Sequence, residues 1–209
     1  MSSLLLKLKK SAHIAGRSAS GFTLLEVLVT IAMISIFIPS VYGVYTIITR
    51  SLTTESVVAD VQQDVRFSLD FMVQDIRMAG LDPYSSASAG IEVATTTKLR
   101  FTADQNMDGA INNTSQERVS YLLDAPNNQL DQILYEGTAS QDTQALIENV
   151  TALSFTYLDK DGNTIAAPVA PANLQDIKQI DISLTAQAPA GQVGTISRTY
   201  NARVRGRNL

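Results

Sequence analysis

Residues 27–49 carry no charged side chain, an uninterrupted run of 23 positions. A helix of that length spans about 35 Å, enough to cross the ~30 Å hydrocarbon layer of a bilayer. A buried core helix of this kind would need covering on all sides, and nothing else in the 209 residues is large enough to do so. Mean hydropathy over the whole chain is only +0.06, so the apolar residues are concentrated in one span rather than spread over several. Residues 1–21 hold Lys7, Lys9, Lys10 and Arg17 and no acid. The positive-inside rule therefore places them on the cytoplasmic side and the rest of the chain outside. An ordinary signal anchor would satisfy the same observations.

The order of segments is less ordinary. A secretory signal peptide puts its apolar core before a small-residue cleavage site. Here the small-residue stretch Ser18-Ala19-Ser20-Gly21 comes first and the apolar run follows. Cleavage after Gly21 would leave the apolar helix on the mature chain, with a new α-amine on Phe22. Glu26 lies near the start of the apolar run, where a carboxylate costs less than the ~2.5–3.5 kcal/mol it would cost at the bilayer centre. One reading leaves Glu26 at headgroup level. The other pairs it with a cation as chains pack, since four helical residues separate it from Phe22 by about 6 Å along the axis. Pro39 removes a hydrogen bond to the carbonyl of Ser35, and with Gly43 it marks an expected hinge in the helix.

The sequence Gly21-Phe22-Thr23-Leu24-Leu25-Glu26, followed by an apolar run, resembles the cleavage and methylation motif of type IV pilins and type II secretion pseudopilins. That resemblance implies cutting between Gly21 and Phe22 by a prepilin peptidase, methylation of the Phe22 amine, and a role for Glu26 in attracting a neighbour's N-terminus during assembly. A second stretch, Asp75-Ile76-Arg77 followed by Ala79-Gly80, is similar to the helix end of PilW-type minor pilins.

Beyond Arg50 the helical pattern continues with polar residues interleaved. Val58, Val61, Val65, Leu69, Met72, Ile76 and Ala79 recur at steps of three and four, an apolar stripe suited to covering a sheet. Gly80 suits the position after a helix C-terminus, and Asp82-Pro83 stops the helix. Strand patterns follow at 98–103, 118–123, 132–136, 150–158, 179–185 and 195–205, with a hairpin turn at Asp161-Gly162. A long helix followed by antiparallel strands is an α+β arrangement, here of the type IV pilin-like kind. The expected organisation is a leader at 1–21 removed by prepilin peptidase, a transmembrane and assembly half-helix at 22–49, an amphipathic half-helix at 50–80 and a β-rich pilin domain at 81–209.

Several chemistries are closed to this chain. There is no cysteine, and the one histidine, His13, falls in the leader, so mature thiolate or imidazole chemistry is absent. Serines and carboxylates show no catalytic spacing, and no enzymatic activity is expected. The chain as a whole is −4 and the first 21 residues are +4, so residues 22–209 carry −8. An acidic body is a poor match for nucleic acid, which is not an expected partner. Arg198, Arg203, Arg205 and Arg207 cluster near the end; the last three alternate and are expected on one strand face, either as a solvated edge or against acidic faces of neighbouring subunits.

One loop carries a metal signal. Asp104, Asn106, Asp108, Gly109 and Ala110 match the front of an EF-hand calcium loop, in which alternate oxygens converge around a sharp glycine turn. The twelfth place holds Ser115 instead of glutamate, and Glu117 comes two residues later. The same residues also make an ordinary Asx-rich surface turn. Asp159-Lys160-Asp161-Gly162-Asn163 is a shorter echo. No cofactor is required by this reading, and calcium is the one expected candidate.

The resemblance implies a minor pilin that primes assembly of a type IV pilus and is incorporated at or near its tip. The alternatives are a J-type pseudopilin of a type II secretion system, a pilus-borne adhesin or ligand-binding module, and the bulk filament subunit. Implied partners are other pilins and minor pilins through the N-terminal helix, prepilin peptidase, and the inner-membrane assembly platform. The implied location is the inner membrane with the globular part periplasmic, then the filament at the cell surface.

Overall fold

The computed structural model describes residues 21–113, 115–189 and 194–209, so all of the expected leader at 1–21 except Gly21 lies outside the described residues. One helix, α1, runs Leu24–Met78 over 55 residues. The chain divides into two compact units, 1–48 and 49–209.

In the first unit the helix is exposed almost throughout, with Leu24, Leu25, Ile31, Met33, Phe37 and Ile38 all open. It is long and apolar enough to cross a membrane. Pro39 and Gly43 lie inside α1 without ending it. Hydroxyls fold back onto carbonyls of the preceding turn: Thr30 Oγ1 donates to Glu26 O at 2.7 Å, and Ser40 Oγ donates to Ile36 O at 2.8 Å. Such bonds hide the polar groups of Ser and Thr where no water is present.

In the second unit the apolar stripe behaves as its spacing requires. Val65, Leu69, Met72, Ile76 and Ala79 are buried, while Val58 and Val61 nearer the start are only half-buried. Gly80 follows the helix at φ +77°, and a Cβ there would sit 2.7 Å from the Asn208 carbonyl oxygen. Only glycine satisfies both the left-handed backbone and the close approach of the C-terminal segment.

Among the described residues, nine strands form two antiparallel sheets. The first contains β1 Ile91–Ala94, β2 Lys98–Thr102, β3 Arg118–Asp124, β4 Gln129–Leu134 and β5 Asp142–Glu148, paired in chain order. The second contains β6 Val150–Leu158, β7 Thr164–Ile165, β8 Gln179–Pro189 and β9 Thr195–Arg205, in the order β7-β6-β8-β9. A 3₁₀ turn at Pro171–Asp176 precedes β8. Strict alternation along β8 buries Ile180, Ile182, Leu184, Ala186 and Ala188 on one face. One core joins the second half of α1 to both sheets, with Phe101 and Tyr121 from the first sheet and Phe155 and Tyr157 from the second.

Polar contacts fix the helix on this core. The Tyr121 hydroxyl, with the side chain fully buried, donates to Asp75 Oδ2 at 2.6 Å, and Gln132 Nε2 reaches the same oxygen at 3.2 Å. Arg66 lies over the ring of Tyr200 on β9, 5.8 Å from its centroid. The sheets are stitched together where Tyr157 donates its hydroxyl proton to Thr95 O at 2.7 Å. Charges ladder across the first sheet: Lys98 pairs with Glu136, and Glu92 receives Arg100 at 2.9 Å and Arg118 at 3.0 Å. Burial alone would raise Glu136, yet the hydrogen bonds of Lys98 and Ser120 and the nearby charges hold it below the usual glutamate range.

Candidate functional site

The amino-terminal end of α1 is built around Thr23. Its Oγ1 accepts a hydrogen bond from the Glu26 backbone N–H at 3.2 Å, and its carbonyl accepts from Val27 N–H at 3.2 Å. Thr23 is therefore the N-cap, and Glu26 stands three residues on, the spacing of a capping box. This capping role was missed in the sequence, although Thr23-x-x-Glu26 is itself the signal. A carboxylate in the first turn is also favoured by the helix dipole. Phe22, immediately before, is 84% exposed, and the apolar side chains on every side of the following turns are open as well. A surface of that extent requires lipid or other chains to cover it.

A second cluster lies at the β2–β3 hairpin. Thr102 pairs with Arg118, and Ala103 N–H continues the ladder to Glu117 O at 2.9 Å. This register brings Glu117 beside Asp104. One carboxylate oxygen each from Asp104, Asp108 and Glu117 lie within 4.8 Å of one another. Asp104 and Glu117 are fully buried, and Asp108 is exposed. Backbone N–H groups hold them: Asp108 and Gly109 donate to the two oxygens of Asp104 at 3.1 and 2.9 Å, and Asn112 donates to Glu117 Oε2 at 2.8 Å. Asn106 is engaged within the loop, its Nδ2 donating to Asp108 Oδ2 at 2.9 Å. Gly109 turns the loop at φ +81°, where a Cβ would meet Ser86 Oγ at 2.6 Å. Ser86 in turn donates to the Gly109 carbonyl at 2.9 Å.

The donor set fits a hard cation. Calcium takes 6–8 oxygens at 2.3–2.6 Å, so two ligands on opposite sides of one ion are about 5 Å apart. Three carboxylates at this spacing are compatible with that, and each oxygen keeps a lone pair beside its N–H partner. Among the sequence-derived candidates, Ser115 at the twelfth place offers a hydroxyl, and the acid that joins Asp104 and Asp108 is Glu117. Ala110 contributes its N–H to Asp108 Oδ1 at 2.9 Å. The echo at Asp159 is a hairpin turn closed on itself, since Asp159 accepts from the N–H groups of Asp161 and Asn163 at 2.8 Å each.

The C-terminal arginines separate. Arg203 forms a two-pronged pair with Asp181, its cross-strand partner on β8, at 2.7 Å through both nitrogens. That hydrogen bonding holds Asp181 below the usual aspartate range. Arg198 falls on the opposite strand parity, and Arg207 lies past the end of β9. The expectation of a single arginine face thus holds only for Arg203 and Arg205 within the strand.

Two family profiles match this chain. The one described as Prepilin peptidase-dependent protein B covers residues 56–206. The chain belongs to this family. The other, the Prokaryotic N-terminal methylation motif, covers residues 16–38, including the Gly21–Glu26 stretch. The family, the motif and the helix-on-sheet architecture make this a type IV pilin-like protein, whose N-terminal apolar helix is of the kind that anchors pilins in the membrane. A solved type IV-like pilin from Thermus thermophilus is similar, with 12% identity, a TM-score of 0.48, and coverage of 71% of this chain and 97% of its own. A comparison with curated proteins finds no match.

Proposed function

We propose that the chain is a minor pilin, a structural subunit without enzymatic activity, which primes assembly of a type IV pilus and enters the filament at or near its tip. The observation that carries this is the methylation motif at 16–38, which runs into the start of an apolar helix with no covering of its own. In this reading prepilin peptidase cuts after Gly21 and Phe22 becomes the methylated mature N-terminus. Glu26, in the first turn, attracts the amine of a neighbouring subunit, and the exposed half of α1 exchanges lipid for other pilins. Pro39 and Gly43 supply slack in the helix during that extraction. Before assembly, the globular part lies on the periplasmic side.

Mass spectrometry of the N-terminal peptide from the producing host tests the first step. Methylated Phe22 is the expected terminus, and a mature protein retaining residues 1–21 overturns the reading. Abundance in sheared filaments tests the second, a minor subunit being scarce and a bulk subunit dominant.

The convergence of Asp104, Asp108 and Glu117 favours an addition to this reading, weak calcium binding that stiffens the β2–β3 loop of an extracellular domain. Three carboxylates without a full EF-hand frame suit the ~10⁻⁴–10⁻³ M affinities of extracellular modules.

A further inference from the structure

A groove of about 700 Å³ lies where the end of α1 meets the end of β9. Arg77, Arg205 and Arg207 line it, together with Met78, Leu81 and Asn208. All three arginines are exposed, and none has a carboxylate partner among the described residues. This contrasts with Arg203, two residues before Arg205 on β9, which is engaged through two nitrogens by Asp181. The acid at the groove, Asp75, is already committed to the Tyr121 hydroxyl and to Gln132. The helix C-terminus accounts for one basic residue through its dipole. It does not account for three, two of them supplied by a different element.

The chemistry of the lining narrows the ligand. Guanidinium groups match carboxylate or phosphate oxygens in paired, planar hydrogen bonds. Met78 and Leu81 add an apolar floor, which a bare phosphate or a sugar–phosphate backbone leaves uncovered. The groove is about 42 Å along α1 from Thr49, where the uncharged run ends, several times the reach of an arginine side chain, which disfavours a lipid headgroup. The remainder of the mature chain is strongly acidic, which repels a long polyanion but leaves a short acidic segment free to enter.

We propose that the Arg77–Arg205–Arg207 groove docks an acidic peptide segment with an adjacent apolar side chain, carried by a neighbouring pilin-like subunit. That the partner is a subunit rests on the filament reading above; the groove's preference for acidic peptide does not.

The test uses the full chain in detergent micelles and a labelled hexapeptide of glutamate and leucine, followed by fluorescence anisotropy. Saturable binding is expected, weakened by salt and about tenfold weaker in R205Q/R207Q. R205K/R207K should recover part of the loss, and R203Q should bind as wild type does. Unchanged affinity in R205Q/R207Q with an unchanged melting curve overturns the site. So does equal binding of a glutamine–leucine hexapeptide, and tighter binding of an oligodeoxythymidine assigns the groove to nucleic acid instead. In the producing host, a photo-crosslinking residue at Asn208 should join the chain, within sheared filaments, to an acidic segment of another pilin-like subunit. A chain found in filaments whose groove binds no acidic peptide refutes the docking proposal alone. Peptide binding by a chain absent from filaments refutes the filament reading alone.

Discussion

Tyr121→Phe deletes one oxygen from the centre of the core, and the structure sets both its cost and its pH dependence. The hydroxyl donates at 2.6 Å to Asp75 Oδ2, which also accepts from Gln132 Nε2 at 3.2 Å. Burial already raises the Asp75 carboxyl above the usual aspartate range, against the lowering effect of those two hydrogen bonds. A hydrogen bond to a charged group nets about 1.5–3 kcal/mol, so the substitution should destabilise by that amount at neutral pH. For a folded unit of this size that is a fall of about 3–12 °C in melting temperature. The sign with pH follows from the raised native value. Ionised Asp75 costs the folded state stability above its native pKa, and the cost is relieved as pH falls toward the unfolded value. Losing Tyr121 raises the native value further, so the deficit is largest at neutral pH. In mildly acidic buffer it shrinks toward the ~1 kcal/mol of a neutral hydrogen bond. An Asp75→Asn background should show the same reduced deficit at every pH. The assay is urea unfolding of the full chain in micelles, followed by near-ultraviolet circular dichroism. A loss under about 0.5 kcal/mol at neutral pH, or an equal loss in the Asp75→Asn background, would refute the idea that this hydroxyl solvates a half-buried charge.

Gly80→Ala forces a Cβ to within 2.7 Å of the Asn208 carbonyl oxygen at φ +77°, and should cost about 1–3 kcal/mol in the same unfolding assay. Glu26→Ala should leave membrane insertion intact or improved, since a charge is removed from the apolar run, while filament incorporation falls; equal incorporation of variant and wild type would remove the assembly role. Calcium at tenfold excess over its dissociation constant should stabilise by about 1.4 kcal/mol, a rise of roughly 3–6 °C that chelator reverses and Asp108→Ala abolishes. An unchanged melting temperature at millimolar calcium leaves the β2–β3 loop a plain turn.

The helix and the central strands were legible because their burial is periodic. The stripe from Val65 to Ala79 and the alternation of Ile180, Ile182 and Leu184 are written directly in the residue order. Strands β6 and β9 have the bounds their patterns suggest. What was not legible lacks a periodic signal. In β5 only Ile147 is buried among seven residues, and its strand geometry comes from pairing with β4 rather than from its own composition. The first strand, Ile91–Ala94, is four residues long and is defined by its pairing with β2. The β4 pattern read from residue 132 begins at Gln129, because the turn after Asp124 is short: Asn127 Nδ2 donates to Asp124 Oδ2 at 2.7 Å, and the ladder resumes with Asp124 opposite Gln129. Division of the strands between two sheets was also invisible, since it depends on which edges meet and not on any one strand.

The loop at Asp104 shows why counting positions is not enough at a site. In an EF-hand the last ligand arrives on a helix, so its place is fixed by helical spacing, and position twelve is the place to look. Here the frame is a hairpin, and the returning strand sets the spacing instead. Thr102 opposite Arg118 places residue 103 against 117, whatever the length of the intervening loop. The acid that reaches Asp104 is therefore the one just before β3, which is Glu117. A change of loop length that preserved the Thr102–Arg118 register would leave Glu117 beside Asp104, whereas one strand residue inserted before Arg118 would turn that carboxylate to the other face of the sheet. Inserting one residue between Glu117 and Arg118 should then abolish any calcium-dependent stabilisation, while one residue inserted at the exposed Asn113 should largely preserve it. Equal loss from both insertions would show that the loop's internal hydrogen bonds, rather than the hairpin register, assemble the three carboxylates.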